Sequence, residues 1–408
     1  MTYREFIAQN ARFLGFGFAL AALSSVGQTF FISLFGAEIR NAFTLTHGEF
    51  GGIYSIATLA SATCLAWVGQ RTDNADLRRW SCFVLGGLGG ACLLMAWAPV
   101  SLLLGIALFG LRFFGQGLAS HTSVVSMARY FDVTRGRAVS IAALGHPIGE
   151  GLLPVSVVAI AAIIGWRETW LACGILLLAA GIPTVLWLLR GHAERHQAWL
   201  NNLRASTSAG RQVSSRSRAE MLRDPVFFML LPAAVTSSYV VTGLFFHQAH
   251  VAATKGWPLT LLAASFAGYA TASVITSLIA GYLIDRRGAS RILPFAMGPL
   301  TVGLLALALS DDPLIATLYL TMAGASQGIT ATVQGVLWAE IYGSRHIGAI
   351  RALIAALSVF SSALGPASMG WLIDAGVDIT TLALASIVMI GAAVALALVG
   401  LSMHHKRR

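Results

Sequence analysis

Apolar runs of about twenty residues recur along the whole chain, and no other feature limits its fold so strongly. Twenty helical residues at 1.5 Å each cross a hydrocarbon core about 30 Å thick. Twelve such runs are readable, at 12–35, 47–68, 80–97, 101–124, 138–163, 168–189, 226–249, 259–283, 291–309, 313–337, 350–372 and 379–402. They are continuous rather than alternating, which is the pattern of membrane helices and not of barrel strands. Charged residues make up only 11% of the 408 residues, less than half the roughly 25% of a soluble domain. The expected fold class is an all-α membrane protein with twelve transmembrane helices. The first run is too long for a signal-peptide core and lacks a convincing cleavage site, so it reads as a retained helix.

Basic residues set the expected orientation. With both termini cytoplasmic, all but four of the 27 Lys and Arg fall in or beside inside segments. The exceptions are Arg40, Arg167 and Lys255 in outside loops and Arg112 within a helix. Such a bias obeys the positive-inside rule and implies a multi-pass protein of the cytoplasmic (inner) membrane. It also explains the net charge of +10, which therefore says nothing about nucleic acid. The four cysteines, Cys64, Cys82, Cys92 and Cys173, have no metal-ligand spacing and read as packing residues. No cofactor or metal is expected.

Residues 190–224 include NNLRASTSAGRQVSSRSRAE, rich in Ser and Arg and without a sustained apolar face. This reads as a cytoplasmic linker between an N-terminal six-helix bundle, 1–189, and a C-terminal one, 225–408. The halves repeat. Gly69, Asp73 and Arg79 recur as Gly281, Asp285 and Arg291, each 212 positions on. Gln116–Gly117 recurs as Gln327–Gly328 at 211, and Gly136 and Pro154 recur as Gly348 and Pro366 at 212. Internal duplication of a polytopic chain is a mark of secondary transporters, whose site lies near the midplane between the repeats.

The loop GYLIDRRGASR after the eighth run, its partial copy GQRTDNADLRR after the second, and RYFDVTRGRA, GWRETW and EIYGSRHIGAIRA resemble the major facilitator superfamily over essentially the whole chain. The resemblance implies two pseudo-symmetric six-helix bundles that rock about a central site. It also implies gating by the loops, through Gly69, Asp73, Arg79, Gly281, Asp285, Arg286 and Arg291. On physical grounds Gly69 and Gly281 permit close helix approach, and Asp73 and Asp285 can cap a helix start or pair with nearby arginines. Against this stands the plainer reading that these charges serve topology alone.

Two ionisable residues sit near the middle of apolar runs: Arg112 on helix four and Glu150 on helix five. A lone charge there costs at least about 2.5–3.5 kcal/mol, so each should face the bundle interior. Three readings stay open: a structural Arg112–Glu150 pair, recognition of an anionic substrate by Arg112, or proton coupling through Glu150. His146 shares a helix face with Glu150 at i, i+4 and is either a satisfied hydrogen-bonding residue or a proton relay. His121 is a weaker candidate. Glu150 has no repeat counterpart, since Ser362 occupies that place, whereas Pro154 has Pro366.

Further polar or aromatic candidates are Gln28, Tyr54, Gln116, Tyr239, Tyr269, Gln327, Gln334 and Trp338. Each alone is explained by helix packing. As a set they fall on helices one, two, four, seven, eight and ten, which the resemblance places around the cavity. His247, Gln248 and His250 end helix seven beyond Pro232 and Gly243, as an outer gate or as ordinary interfacial polarity.

LRDPVFF and RYF…RGRA distantly resemble the monocarboxylate and oxalate/formate carriers, but helix eight has no basic residue and helix eleven only Arg351 at its edge. Helix five partly resembles the Gly-Pro-rich segment of proton-driven exporters, with His146 interrupting it. No nucleotide-binding signature is present, so the expected drive is a gradient. The sequence thus points to a monomeric, non-enzymatic secondary transporter of a small organic solute, an organic anion favoured, coupled to protons. The alternatives are a proton-driven exporter of drug-like or cationic compounds, and a non-transporting sensor on the same scaffold. A sensor would carry an output domain that the tail LSMHHKRR does not supply.

Overall fold

A computed structural model describes residues 3–73, 75–131, 134–197, 218–343 and 347–406. Its long helices are α1 (Tyr3–Leu23), α2 (His47–Val68), α3 (Leu77–Trp97), α4 (Ser101–Tyr130), α5 (Gly136–Ile164) and α6 (Trp166–Leu188). Then come α7 (Pro225–Phe246), α8 (Leu259–Arg287), α9 (Ala289–Leu309), α10 (Leu314–Tyr342), α11 (Ile347–Asp374) and α12 (Ile379–Lys406). Eleven described helices are long and apolar enough to cross a membrane. The other expected span is α10, 29 residues long, whose mid-section carries Ser326, Gln327, Thr330, Thr332 and Gln334. Those residues dilute its hydropathy, and length alone suits it to a bilayer.

The chain divides into two compact units, Met1–Ile32 with Ala57–Arg211, and Ser33–Ile56 with Gln212–Arg408. Residues 33–56 pack with the second unit. The middle of the expected linker, 198–217, lies outside the described residues.

In the first unit α1 does not run straight through. Ser24–Gly27 tightens to a 3₁₀ turn, Gln28 is extended (φ −84°, ψ 155°), and a short helix resumes at Thr29–Ile32. In the stretch SSVGQT every residue but Gln28 is a poor helix former, which explains why the break falls there. Opposite it, α4 winds as a π-helix over Leu111–Ala119. The two irregular segments meet through glycine. A Cβ on Gly27 would collide with the Leu111 carbonyl, and one on Gly115 would come 2.7 Å from Gly27 Cα. α5 presses on α1 in the same way, with Gly145 against Phe18 and Ala21, and Gly149 against Ser25. α5 itself is interrupted by a turn at Leu144. Pro147 has no N–H for the Ala143 carbonyl, which accounts for the interruption.

In the second unit α8 and α10 form a close pair. Cβ atoms on Gly324 and Gly328 would strike the carbonyls of Tyr269 and Ser273. Hydroxyls tie the pair: Ser265 with Thr317 (2.8 Å), Thr276 to the Ala325 carbonyl (2.9 Å), and Ser277 with Thr332 (3.0 Å). Small residues four apart and interhelical hydroxyl bonds are what holds helices together where no hydrophobic drive exists between them.

Candidate functional site

The break in α1 gathers the mid-helix polar groups of the first unit. Arg112, 1% exposed, leaves the π-helical stretch and donates from Nη1 to Gly27 O and Thr29 Oγ1, both at 3.3 Å. The π turn supplies the reorientation, and such turns concentrate at functional sites. From α5, His146 reaches both neighbours, with Nδ1 3.4 Å from Ser24 Oγ and Nε2 3.2 Å from Ser120 Oγ. Ser25 Oγ is buried with no hydrogen-bond partner among the described residues. Non-helical backbone at membrane depth is tolerated where it is buried in protein or lines a cavity.

Glu150 follows one turn after His146. It is half-buried and, among the described residues, accepts no hydrogen bond and makes no ion pair. The structural Arg112–Glu150 pair is therefore not formed: the guanidinium is turned to the α1 break, onto neutral oxygens. Gln28 lies in the break and Gln116 in the π stretch, both half-buried. Arg112, His146, Gln28 and Gln116 thus lie around the α1 break, with Glu150 one turn further along α5. Ser24, Ser25, Thr29 and Ser120 belong with them. Their signal was the run of small polar residues inside an apolar segment.

The candidates of the second unit are placed differently. Trp338 is 1% exposed, donates Nε1–H to Gln334 Oε1 (2.8 Å), and stands beside Tyr342 and Phe227. That is core packing, closed at its end by Asp224, which caps α7 and accepts from Tyr342. Tyr239 shares a hydrogen bond with Ser368 (2.6 Å), Tyr269 sits among Phe245 and Phe266, and Tyr54 packs at a tilt against Phe246. Gln327 is exposed.

The loop residues also depart from expectation. Gly281 has nothing within 4 Å of a Cβ, and Gly69 has only ordinary contacts with Leu65 and His121, so neither permits a close approach. The close approaches are made deeper, at Gly27, Gly115, Gly324 and Gly328. Asp285 is exposed and neither caps nor pairs among the described residues, because it lies in the last turn of α8, where backbone N–H groups are already used. The cap is supplied from α10 instead. Glu340 accepts from Ala289 N and from Ser290 Oγ, both at 2.6 Å, just beyond Gly288 at φ +83°. In the first half the Asp73 side chain lies outside the described residues, and Asp76 caps α3 by accepting from Arg78 N and Arg79 N. Arg79, Arg286 and Arg291 are exposed; Arg286 lies over the Tyr282 ring, and Arg291 lines a cavity of about 460 Å³ with Arg287, Leu283 and Phe295. Arg129 of RYF donates to Thr72 O (3.3 Å), joining the loops after α4 and α2.

A family model described as Major Facilitator Superfamily matches residues 17–309 and 239–408. Among solved structures, the chain is similar to a bacterial homologue of the human lysosomal transporter Spinster in its inward-facing, occupied conformation. The identity is 15% and the TM-score 0.66, over 98% of this chain and 97% of that one. The same homologue in its inward-facing, unoccupied conformation matches at 16% identity and TM-score 0.66, over 100% and 99%. No curated protein matches. At these identities the structural likeness speaks for the fold. With the family match spanning nearly the whole chain, this multi-pass membrane protein belongs to the major facilitator superfamily of secondary transporters.

Proposed function

We propose that the chain carries a small organic solute, an organic anion favoured, across the cytoplasmic membrane by alternating access coupled to protons. Both termini are cytoplasmic in this reading, from the bias of Lys and Arg, and the working unit is a monomer. The observation that carries it is the locus at the α1 break. A buried guanidinium is bonded there to neutral oxygens, and a carboxyl on the neighbouring helix has no partner among the described residues.

Arg112 supplies positive potential for an anionic group, and Gln28 and Gln116 supply directional hydrogen bonds. Glu150 is the proton carrier, taking up a proton on one side and releasing it on the other as its surroundings change. His146, already bonded to two hydroxyls, positions α5 against α1 and α4. Rocking of the two six-helix halves would expose this locus to each side in turn.

A thermal-stability screen of purified protein against organic anions, cations and neutral solutes tests the substrate class. Anions should stabilise wild-type protein and fail to stabilise Arg112→Gln. Stabilisation by cations or neutral solutes alone would overturn the anion assignment.

A further inference from the structure

The packing of residues 33–56 against α7 and α11 contains a cluster that the transport locus does not use. α2 begins with a capping box, in which Thr46 N donates to Glu49 Oε2 (2.9 Å) and Glu49 N to Thr46 Oγ1 (3.1 Å). A second carboxylate reaches the same helix start from α11: Asp374 accepts from His47 N (3.0 Å) and Gly48 N (2.7 Å). Backbones touch through glycine, since a Cβ on Gly51 would strike Pro366 O and one on Gly370 would come 2.5 Å from His47 O. Ser55 donates to Ala363 O, and Gln248 Nε2 to Ser33 Oγ (2.8 Å).

Three imidazoles sit in this contact. The His47 ring is 4.4 Å from His250 and 5.6 Å from His247. His247, 4% exposed, donates Nε2–H to Pro366 O (2.9 Å). His47 Nδ1 is buried with no hydrogen-bond partner among the described residues. The charged groups acting on the cluster are Arg40, from the short helix Gly36–Phe43, and Asp374, from α11. Glu49 is committed to the capping box. One carboxylate, already spent on the α2 start, thus faces one guanidinium and three potential imidazolium ions.

We propose that His47, His247 and His250 form a proton-binding site that releases residues 33–56 from α7 and α11 when it is protonated. Neutral rings pack and share hydrogen bonds, whereas two or three cations beside Arg40 repel one another at short range. Burial holds His247 down to about 4 and lowers His250 from its ordinary value. A lowered histidine pKa favours the packed state, fully so above the ordinary value of about 6.5, and that preference is lost as pH falls toward about 4. Acid therefore opens the contact. The cluster lies where α7 ends, at the far end from its start beside the linker. Resting on the topology proposed above, that end faces outside, so acid on that side loosens the outer contact.

The test is a pulsed electron–electron distance measurement on full-length protein in lipid nanodiscs. Spin labels go on the exposed positions Asn41 and Ala375, with the four native cysteines replaced. Between about pH 7.5 and pH 4.5 the ratio of separated to packed populations should rise about tenfold or more, since each unit of pKa difference is worth tenfold. In the triple variant H47Q/H247Q/H250Q the ratio should stay flat. His250→Gln alone, at a half-buried ring, should give a reduced response in a protein that folds normally. An unchanged wild-type ratio, or an equal rise in the triple variant, overturns the proposal. The readout needs no substrate, so its failure is separable from failure of the Glu150 coupling role, which only transport assays report.

Discussion

The midpoints of α4 and α10 are copies of one another at an offset of 211, yet they are built to different ends. In α4 the segment is π-helical, buries Arg112 and faces a broken α1. In α10 the position equivalent to Arg112 is Ala323, fully buried within an unbroken 29-residue α-helix. α7, the copy of α1, likewise runs unbroken from Pro225 to Phe246. Both midpoints use glycine for close approach, Gly115 in one and Gly324 and Gly328 in the other. Duplication has kept the packing device. The irregular backbone and the charge exist in one copy only, so they are not needed to hold a helix pair together. Poor hydrogen-bond geometry is retained where it aims a side chain.

Substitutions that remove the charge should have the largest effect. Arg112→Gln should lower uptake of an anionic solute by about 10- to 100-fold, the loss of one or two charge-assisted hydrogen bonds. Gln327→Ala, at an exposed site of the other copy, should stay within about twofold in the same flux assay. Equal losses at both positions would break the comparison.

Backbone contact comes next. Gly27→Ala forces a methyl into the Leu111 carbonyl and should cost about 1–3 kcal/mol, read as a fall in thermal midpoint. Gly281→Ala meets open space inside α8 and should leave stability unchanged or raise it by about 0.5–1 kcal/mol. A stable Gly27→Ala would mean the α1–α4 contact is looser than described.

The smallest effects separate the carboxylates of the loops. Glu340→Gln weakens two hydrogen bonds at the start of α9 and should destabilise by about 1–2 kcal/mol. Asp285→Asn, at an exposed side chain without a partner among the described residues, should shift stability by less than about 0.5 kcal/mol. If Asp285→Asn nevertheless slows transport, its part is played in another conformation.

Much of the architecture was legible from residues. Run length and continuity gave the helices, and the 212-residue offset gave the duplication. Arg112 and Glu150 stood out because charge at membrane depth is costly. What they contact was not legible, because the direction of a side chain on α4 depends on a π turn that no residue spacing announces. Nor did the repeat reveal that Glu340, far away in sequence, takes the capping role expected of Asp285. Trp338 and Gln334 were polar enough to suggest a cavity; Trp338 Nε1–H is met by Gln334 Oε1 within a packed core, while Gln334 Nε2 is buried with no hydrogen-bond partner among the described residues. Single-residue polarity does not distinguish a group satisfied by its own helix from one left for a ligand.

In the proposed mechanism the unduplicated carboxylate Glu150 links solute movement to protons. Proteoliposomes holding wild-type protein or Glu150→Gln, with a solute found by the stability screen, test it under an imposed pH gradient. Glu150→Gln should lose accumulation driven by the gradient while still exchanging labelled for unlabelled solute. Undiminished gradient-driven accumulation in Glu150→Gln would contradict it.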